Sequence, residues 1–141
     1  MKRTITSIAT ALLMVMTLSS FASSNSNPLK YKDAKEILLT YTEAASEGNI
    51  EFNNFLFTEN FKYLNKANKT SYTKKAYISF LNSNKGLQYN CETKHEVLNT
   101  STKMAVAKTT FKFDSFTRVD HITLVQTDEG WKISDIVTSY L

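Results

Sequence analysis

The chain has 141 residues, a formal charge of +4 and a single cysteine, Cys91. One cysteine excludes an internal disulfide, so stability has to come from a packed apolar core, which a chain of this size is long enough to build. Lys2 and Arg3 supply half of the net charge, and Arg118 is the only arginine beyond them, so no basic face of the kind that holds nucleic acid is expected.

The basic start Met1-Lys2-Arg3 is followed by an apolar run from Ile8 to Leu18 and by Ser20-Phe21-Ala22, with small residues at the −3 and −1 positions. That layout predicts a secretory signal peptide over residues 1–22, cleaved after Ala22. The apolar run is shorter than the roughly 20 residues of a spanning helix, so no stable membrane insertion is expected after cleavage. The protein is therefore expected to be exported, to the periplasm or beyond. Residues 23–28 are expected to be a flexible polar start, and residues 29–141 a single domain.

Helical spacing begins at Tyr31 and runs through Ala34, Ile37, Leu38, Tyr41 and Ala45, with Asn27 and Pro28 as a candidate start and Gly48 as the stop. Residues 49–56 read as a short second helix. Phe61-Lys62-Tyr63-Leu64 reads as a short strand. Ser71 or Thr73 caps a third helix that presents Tyr77, Phe80 and Leu81. From Leu87 the period changes to two, in runs near 87–99, 103–116, 118–126 and 131–140 joined by short turns. This predicts an antiparallel meander, and helices followed by a meander make an α+β domain.

Side-chain alternation predicts which face is inner. With Phe111 placed opposite both Cys91 and His121, one face carries Tyr89, Cys91, Thr93, His95 and Val97, then Ala105, Ala107, Thr109, Phe111 and Phe113. It continues through Val119, His121, Thr123 and Val125 to Trp131 and Ile133. The opposite face then holds an apolar set, Leu98, Met104, Val106, Ile122, Leu124 and Ile136, which is either a homodimer surface, through Val106, Ile122, Leu124 and Ile136, or scattered surface hydrophobes.

An amphipathic helix ending in Glu47-Gly48-Asn49-Ile50, the segment Phe57-Thr58-Glu59-Asn60-Phe61, a further helix and a meander closing on Asp128-Glu129-Gly130-Trp131-Lys132-Ile133 occur in that order. In this the chain resembles the nuclear transport factor 2-like superfamily, in particular its exported bacterial lumazine-binding-like and SnoaL-like branches. The resemblance covers residues 29–141. It implies a cone of three N-terminal helices in the concave face of a curved antiparallel sheet. The superfamily holds both enzymes and non-catalytic members, so function has to be argued from the site.

Tyr63, Tyr89, Phe111, Phe113 and His121 are the candidate ligand-binding residues, an aromatic wall with one titratable group. The same residues would also serve as ordinary core. On the predicted register Asp135 stands opposite His121 and would orient it as a general base. A bulge between Ile133 and Ile136 would instead turn Asp135 outward. No metal site and no cofactor are expected, because two histidines and one cysteine form no ligand set. Three readings follow: a non-catalytic module binding a small apolar or aromatic ligand, an acid–base isomerase, dehydratase or cyclase using His121 and Asp135, and a homodimer with a vestigial pocket. If the leader is cleaved as expected, mass spectrometry of the exported protein will find Ser23 at its N-terminus. Retention of residues 1–22 in the exported form would contradict that expectation.

Overall fold

The computed structural model describes residues 26–141; the expected signal peptide and its cleavage site lie outside them. The chain starts tied down. Asn27 is buried, donates through Nδ2 to the Glu129 carbonyl at 2.7 Å and accepts from the Leu29 amide at 2.8 Å. The expected flexible start is therefore fixed to the closing hairpin from Asn27 onward. Asn27 caps a turn rather than the first helix, and Tyr31 is 93% exposed rather than part of the helix's inner face.

The first helix, α1, spans Ala34–Glu47. It begins where it does because Asp33 and Glu36 form a reciprocal capping box, each side chain accepting from the other's backbone amide. It ends at Gly48, whose φ of 66° suits a residue without a Cβ. Ile37, Leu38, Tyr41, Ala44 and Ala45 form its buried stripe. The expected second helix is only a 3-10 turn, Asn53–Phe55. Strand β1 follows over Phe57–Asn65, then the short β2 over Ser71–Thr73. Thr73 caps helix α2, Lys74–Ser83, which buries Tyr77 and Leu81. Among the described residues there are two α-helices and a 3-10 turn where three helices were expected.

The meander is β3 (Glu92–Thr100), β4 (Met104–Lys112), β5 (Thr117–Thr127) and β6 (Gly130–Tyr140). All six strands form one sheet in the order β2-β1-β6-β5-β4-β3. Strand β1 lies parallel to β6, a pairing that the local pattern does not announce, and the remaining pairs are antiparallel. Both helices cover one face, giving the α+β cone that the sequence predicts.

The register differs from expectation on both sides of β4: Phe111 faces Thr93 rather than Cys91, a slip of two residues that keeps the faces, and the larger change comes at the β4–β5 turn. Phe113 and Phe116 close a tight hairpin around Asp114-Ser115, with the Phe113 amide donating to the Phe116 carbonyl at 2.9 Å. Ala107 then faces Ile122, and Phe111 faces Arg118 rather than His121. An odd offset replaces an even one, so every side chain of β5 changes face. Strands β3 and β4 keep the predicted parity, with Thr93, His95 and Val97 paired to Phe111, Thr109 and Ala107, although Val97 is exposed, while β5 turns Arg118, Asp120, Ile122 and Leu124 inward. Half of the expected outer apolar set is consequently core: Ile122, Leu124 and Ile136 are at most 1% exposed, while Val106 is half-buried on the outer face and Leu98 and Met104 are exposed. Aliphatic residues at both parities of β5 hid this choice.

A second irregularity sits in β6. Leu124 faces Ile133 and Thr123 faces Asp135, so Ser134 is an extra residue in that strand. The bulge lets Ile133, Ile136 and Thr138 all reach the interior, and it leaves Asp135 exposed.

Gly48 joins the helical layer to the loop before β3. Its carbonyl accepts from the Gly86 amide at 3.0 Å, and a Cβ there would meet the Asn84 carbonyl oxygen, with the Gly86 nitrogen only 2.5 Å away. Gly48→Ala therefore combines left-handed strain with a backbone clash and is expected to cost about 2–3 kcal/mol in urea unfolding. A loss below about 0.5 kcal/mol would contradict the close approach.

Candidate functional site

Arg118 and Asp120 are two apart on β5 and so share the inner face. Charged side chains there need a full set of partners, because an unpaired buried charge is strongly unfavourable. They have them. Arg118 donates from Nε to Asp120 Oδ1 at 2.9 Å and from Nη2 to Asp120 Oδ2 at 2.7 Å, a bidentate pair. Thr138 Oγ1 on β6 donates to Asp120 Oδ1 at 2.7 Å, and Tyr41 Oη on α1 donates to Oδ2 at 2.6 Å. The Asp120 side chain is wholly buried and accepts four hydrogen bonds.

Tyr41 Oη has one proton, which goes to Asp120. It therefore accepts from Tyr77 Oη on α2 at 2.8 Å and from Arg118 Nη2 at 3.2 Å. Burial first, and then the Asp120 charge, push the Tyr41 hydroxyl well above its ordinary range. Tyr77 is raised mainly by burial. Burial pulls the Arg118 guanidinium down, but neighbouring Tyr41 and Asp120 more than reverse this and hold it protonated.

Arg118, alone of the network, also lines a pocket of about 410 Å³, within the usual range for small-molecule sites. Its walls come from separate elements. Ala45 is on α1, Phe80 and Leu81 are on α2, Tyr89 is in the loop before β3, Phe111 is on β4, Phe113 and Phe116 flank the hairpin, and Tyr140 ends β6. The aromatic rings brace one another. Phe113 and Phe116 stack at 4.5 Å, Tyr89 meets Phe113 edge-on at 6.2 Å, and Tyr140 lies 5.9 Å from Phe116. The Arg118 guanidinium lies over the Phe111 ring at 5.0 Å.

Of the five ligand-binding candidates, the structure brings Tyr89, Phe111 and Phe113 together in this pocket. Tyr63 is buried elsewhere, stacked on Tyr77 at 4.5 Å and on Tyr72 at 5.6 Å. His121 is exposed on the outer face opposite Val137, while Asp135 is exposed opposite Thr123. Among the described residues no hydrogen bond joins them, and the register that would have made Asp135 the orienter of His121 is not formed. The inward histidine is His95, whose Nδ1 lies 3.2 Å from Thr109 Oγ1 and 3.5 Å from Thr42 Oγ1. Burial and, next, the Lys35 charge lower its pKa. Cys91 is half-buried, and burial raises its thiol.

Arg118, Asp120, Tyr41, Tyr77 and Thr138 were not among the candidates. The available signal was the Arg-x-Asp spacing itself, opposite charges on one strand face two residues before Ile122.

The chain matches the family described as "Putative lumazine-binding" over residues 30–137. It belongs to that family. Its fold is that of the nuclear transport factor 2-like superfamily, as solved bacterial structures show. A nuclear transport factor 2-like protein of unknown function from Silicibacter pomeroyi is 12% identical, with a TM-score of 0.64 over 76% of this chain and 92% of that one. One from Methylobacillus flagellatus is 20% identical, with a TM-score of 0.61 over 76% and 88%. A cystatin-like fold protein from Burkholderia xenovorans is 20% identical, with a TM-score of 0.62 over 76% and 88%. At such identities the likeness concerns the fold alone. No curated protein matches the chain.

Two outcomes test the network. Asp120→Ala leaves Arg118 as a buried charge without its counter-ion and is expected to cost about 3–5 kcal/mol by urea unfolding; a change under about 1 kcal/mol would contradict the assignment. The pH dependence follows from Tyr41 and Tyr77, whose folded pKa values are raised. Their contribution is complete below the unfolded tyrosine value of about 10 and is lost as pH climbs from there toward the folded values. Stability should fall with rising pH above about 10, and absorbance should show Tyr41 and Tyr77 ionising only with unfolding. Reversible ionisation of every tyrosine in the folded protein would contradict this.

Proposed function

We propose that the protein is an exported, non-catalytic module that holds a small, flat, apolar or aromatic ligand in the pocket above Arg118. The observation that carries this reading is the pocket's lining: six aromatic side chains from different elements converge on one side chain that is charged, Arg118. Flat aromatic walls favour a flat ligand by stacking and edge contacts. The description of the family to which the chain belongs, which names lumazine, a bicyclic heteroaromatic, points to the same class of ligand.

The non-catalytic part of the reading rests on how the polar groups are committed. Asp120 already accepts four hydrogen bonds, and the Tyr41 proton is held by Asp120. Neither is free to exchange a proton with a ligand, as a general base or acid must. His121, the base of the enzymatic alternative, stands on the other face of the sheet. Export rests on the N-terminal leader, and fractionation of cells carrying a tagged chain tests it: recovery only from the cytoplasm would contradict it. A homodimer through Val106, Ile122, Leu124 and Ile136 does not enter this reading, since three of those four side chains are core.

The test is a thermal-shift and titration screen of bicyclic aromatic compounds. At least one is expected to raise the melting temperature. Tyr89→Ala should weaken its binding by roughly tenfold, the value of a lost aromatic contact, and His121→Ala should leave it unchanged. Loss of binding in His121→Ala with Tyr89→Ala unaffected would place the ligand elsewhere.

A further inference from the structure

The guanidinium of Arg118 is only partly used. Nε and Nη2 are engaged by Asp120 and Tyr41, whereas Nη1 makes no hydrogen bond among the described residues. A guanidinium is a rigid planar fork. With the Nε/Nη2 edge held against Asp120, Nη1 is directed away from that carboxylate, and Arg118 lines the pocket. Nη1 is not sealed from solvent, and because Arg118 lines the pocket it can offer its N–H groups to one oxygen or nitrogen acceptor held there.

The charge of that acceptor can also be argued. Asp120 already balances Arg118, and among the described residues no other charged side chain lines the pocket; its remaining polar groups are the Asn84 amide and the hydroxyls of Tyr89 and Tyr140. A carboxylate brought to Nη1 would enter an aromatic enclosure with no cation of its own and would feel repulsion from Asp120 behind the guanidinium. A neutral carbonyl would receive the same charge-assisted hydrogen bond without bringing a second anion inside. We infer that the ligand is a flat aromatic molecule carrying a neutral carbonyl group, and that Arg118 Nη1 donates to that carbonyl while the aromatic walls hold the ring. This deepens the binding reading above and rests on it.

Three near-isosteric probes separate the possibilities by isothermal titration of the purified protein. They are 1-acetylnaphthalene, with a neutral carbonyl, 1-ethylnaphthalene, without an acceptor, and 1-naphthoate, with a carboxylate. The ketone is expected to bind about tenfold tighter than either of the others, as a charge-assisted hydrogen bond to a neutral acceptor allows. In Arg118→Lys, which keeps a cation for Asp120 but has no second donor edge, the preference should shrink to about twofold. Equal binding of the ketone and the ethyl compound would overturn the carbonyl assignment and leave the pocket reading intact. Tightest binding of naphthoate would overturn the neutral-acceptor assignment in favour of an anion site. Failure of all three probes to bind would overturn both readings. Where the lysine variant does not fold, the ranking on the native protein decides alone.

Discussion

The Asp120 carboxylate is the point on which the layers of this molecule meet. It is wholly buried, and its four hydrogen bonds come from Tyr41 on α1, Arg118 on its own strand and Thr138 on β6, with Tyr77 on α2 joined through Tyr41. Apolar contacts between helices and sheet are non-directional and tolerate sliding. A carboxylate that must satisfy both oxygens does not, because any shift of a helix leaves a charge or a hydroxyl unpartnered at low dielectric. The network thereby fixes how both helices sit on the sheet, and with them Ala45, Phe80 and Leu81 in the pocket wall.

The pocket is a consequence of that arrangement. The Arg118 guanidinium is held along one edge by the carboxylate and Arg118 also lines the cavity, so the group that secures the core is also the charged group of the pocket. Rigidity of this kind lowers the ordering cost of binding, since the donor is already in place when a ligand arrives. The aromatic rings around it are braced in pairs, and they extend the same economy to the walls.

Much of the fold was legible from local pattern. Gly48 and the stripe Ile37, Leu38 and Tyr41 identify α1, Thr73 marks the start of α2, and the alternation in β3 and β4 gives their inner faces correctly. Those features depend on neighbours in sequence. The face of β5 depends on the turn before it. Val119, Ile122, Leu124 and Val125 place aliphatic side chains at both parities, so alternation could not choose, and charged Arg118 and Asp120 looked like solvent-facing residues. They point inward because each is the other's partner and Tyr41 arrives from 79 residues away, which no local rule encodes. The parallel pairing of β1 with β6 is invisible for the same reason. The bulge at Ser134 was visible as a mismatch between Ile133 and Ile136, and it takes Asp135 out of the interior.

Nitrogen-15 NMR of the arginine side chains tests the buried network most directly. The chain has only two arginines, Arg3 and Arg118, so the Arg118 guanidinium can be followed individually. Held by Asp120 and Tyr41, it should show slow rotation with resolved Nη1 and Nη2 signals, and a bound aromatic ketone should move Nη1 while leaving Nε nearly unchanged. A freely rotating guanidinium with averaged signals, unmoved by any such ligand, would contradict both the buried network and the pocket built on it.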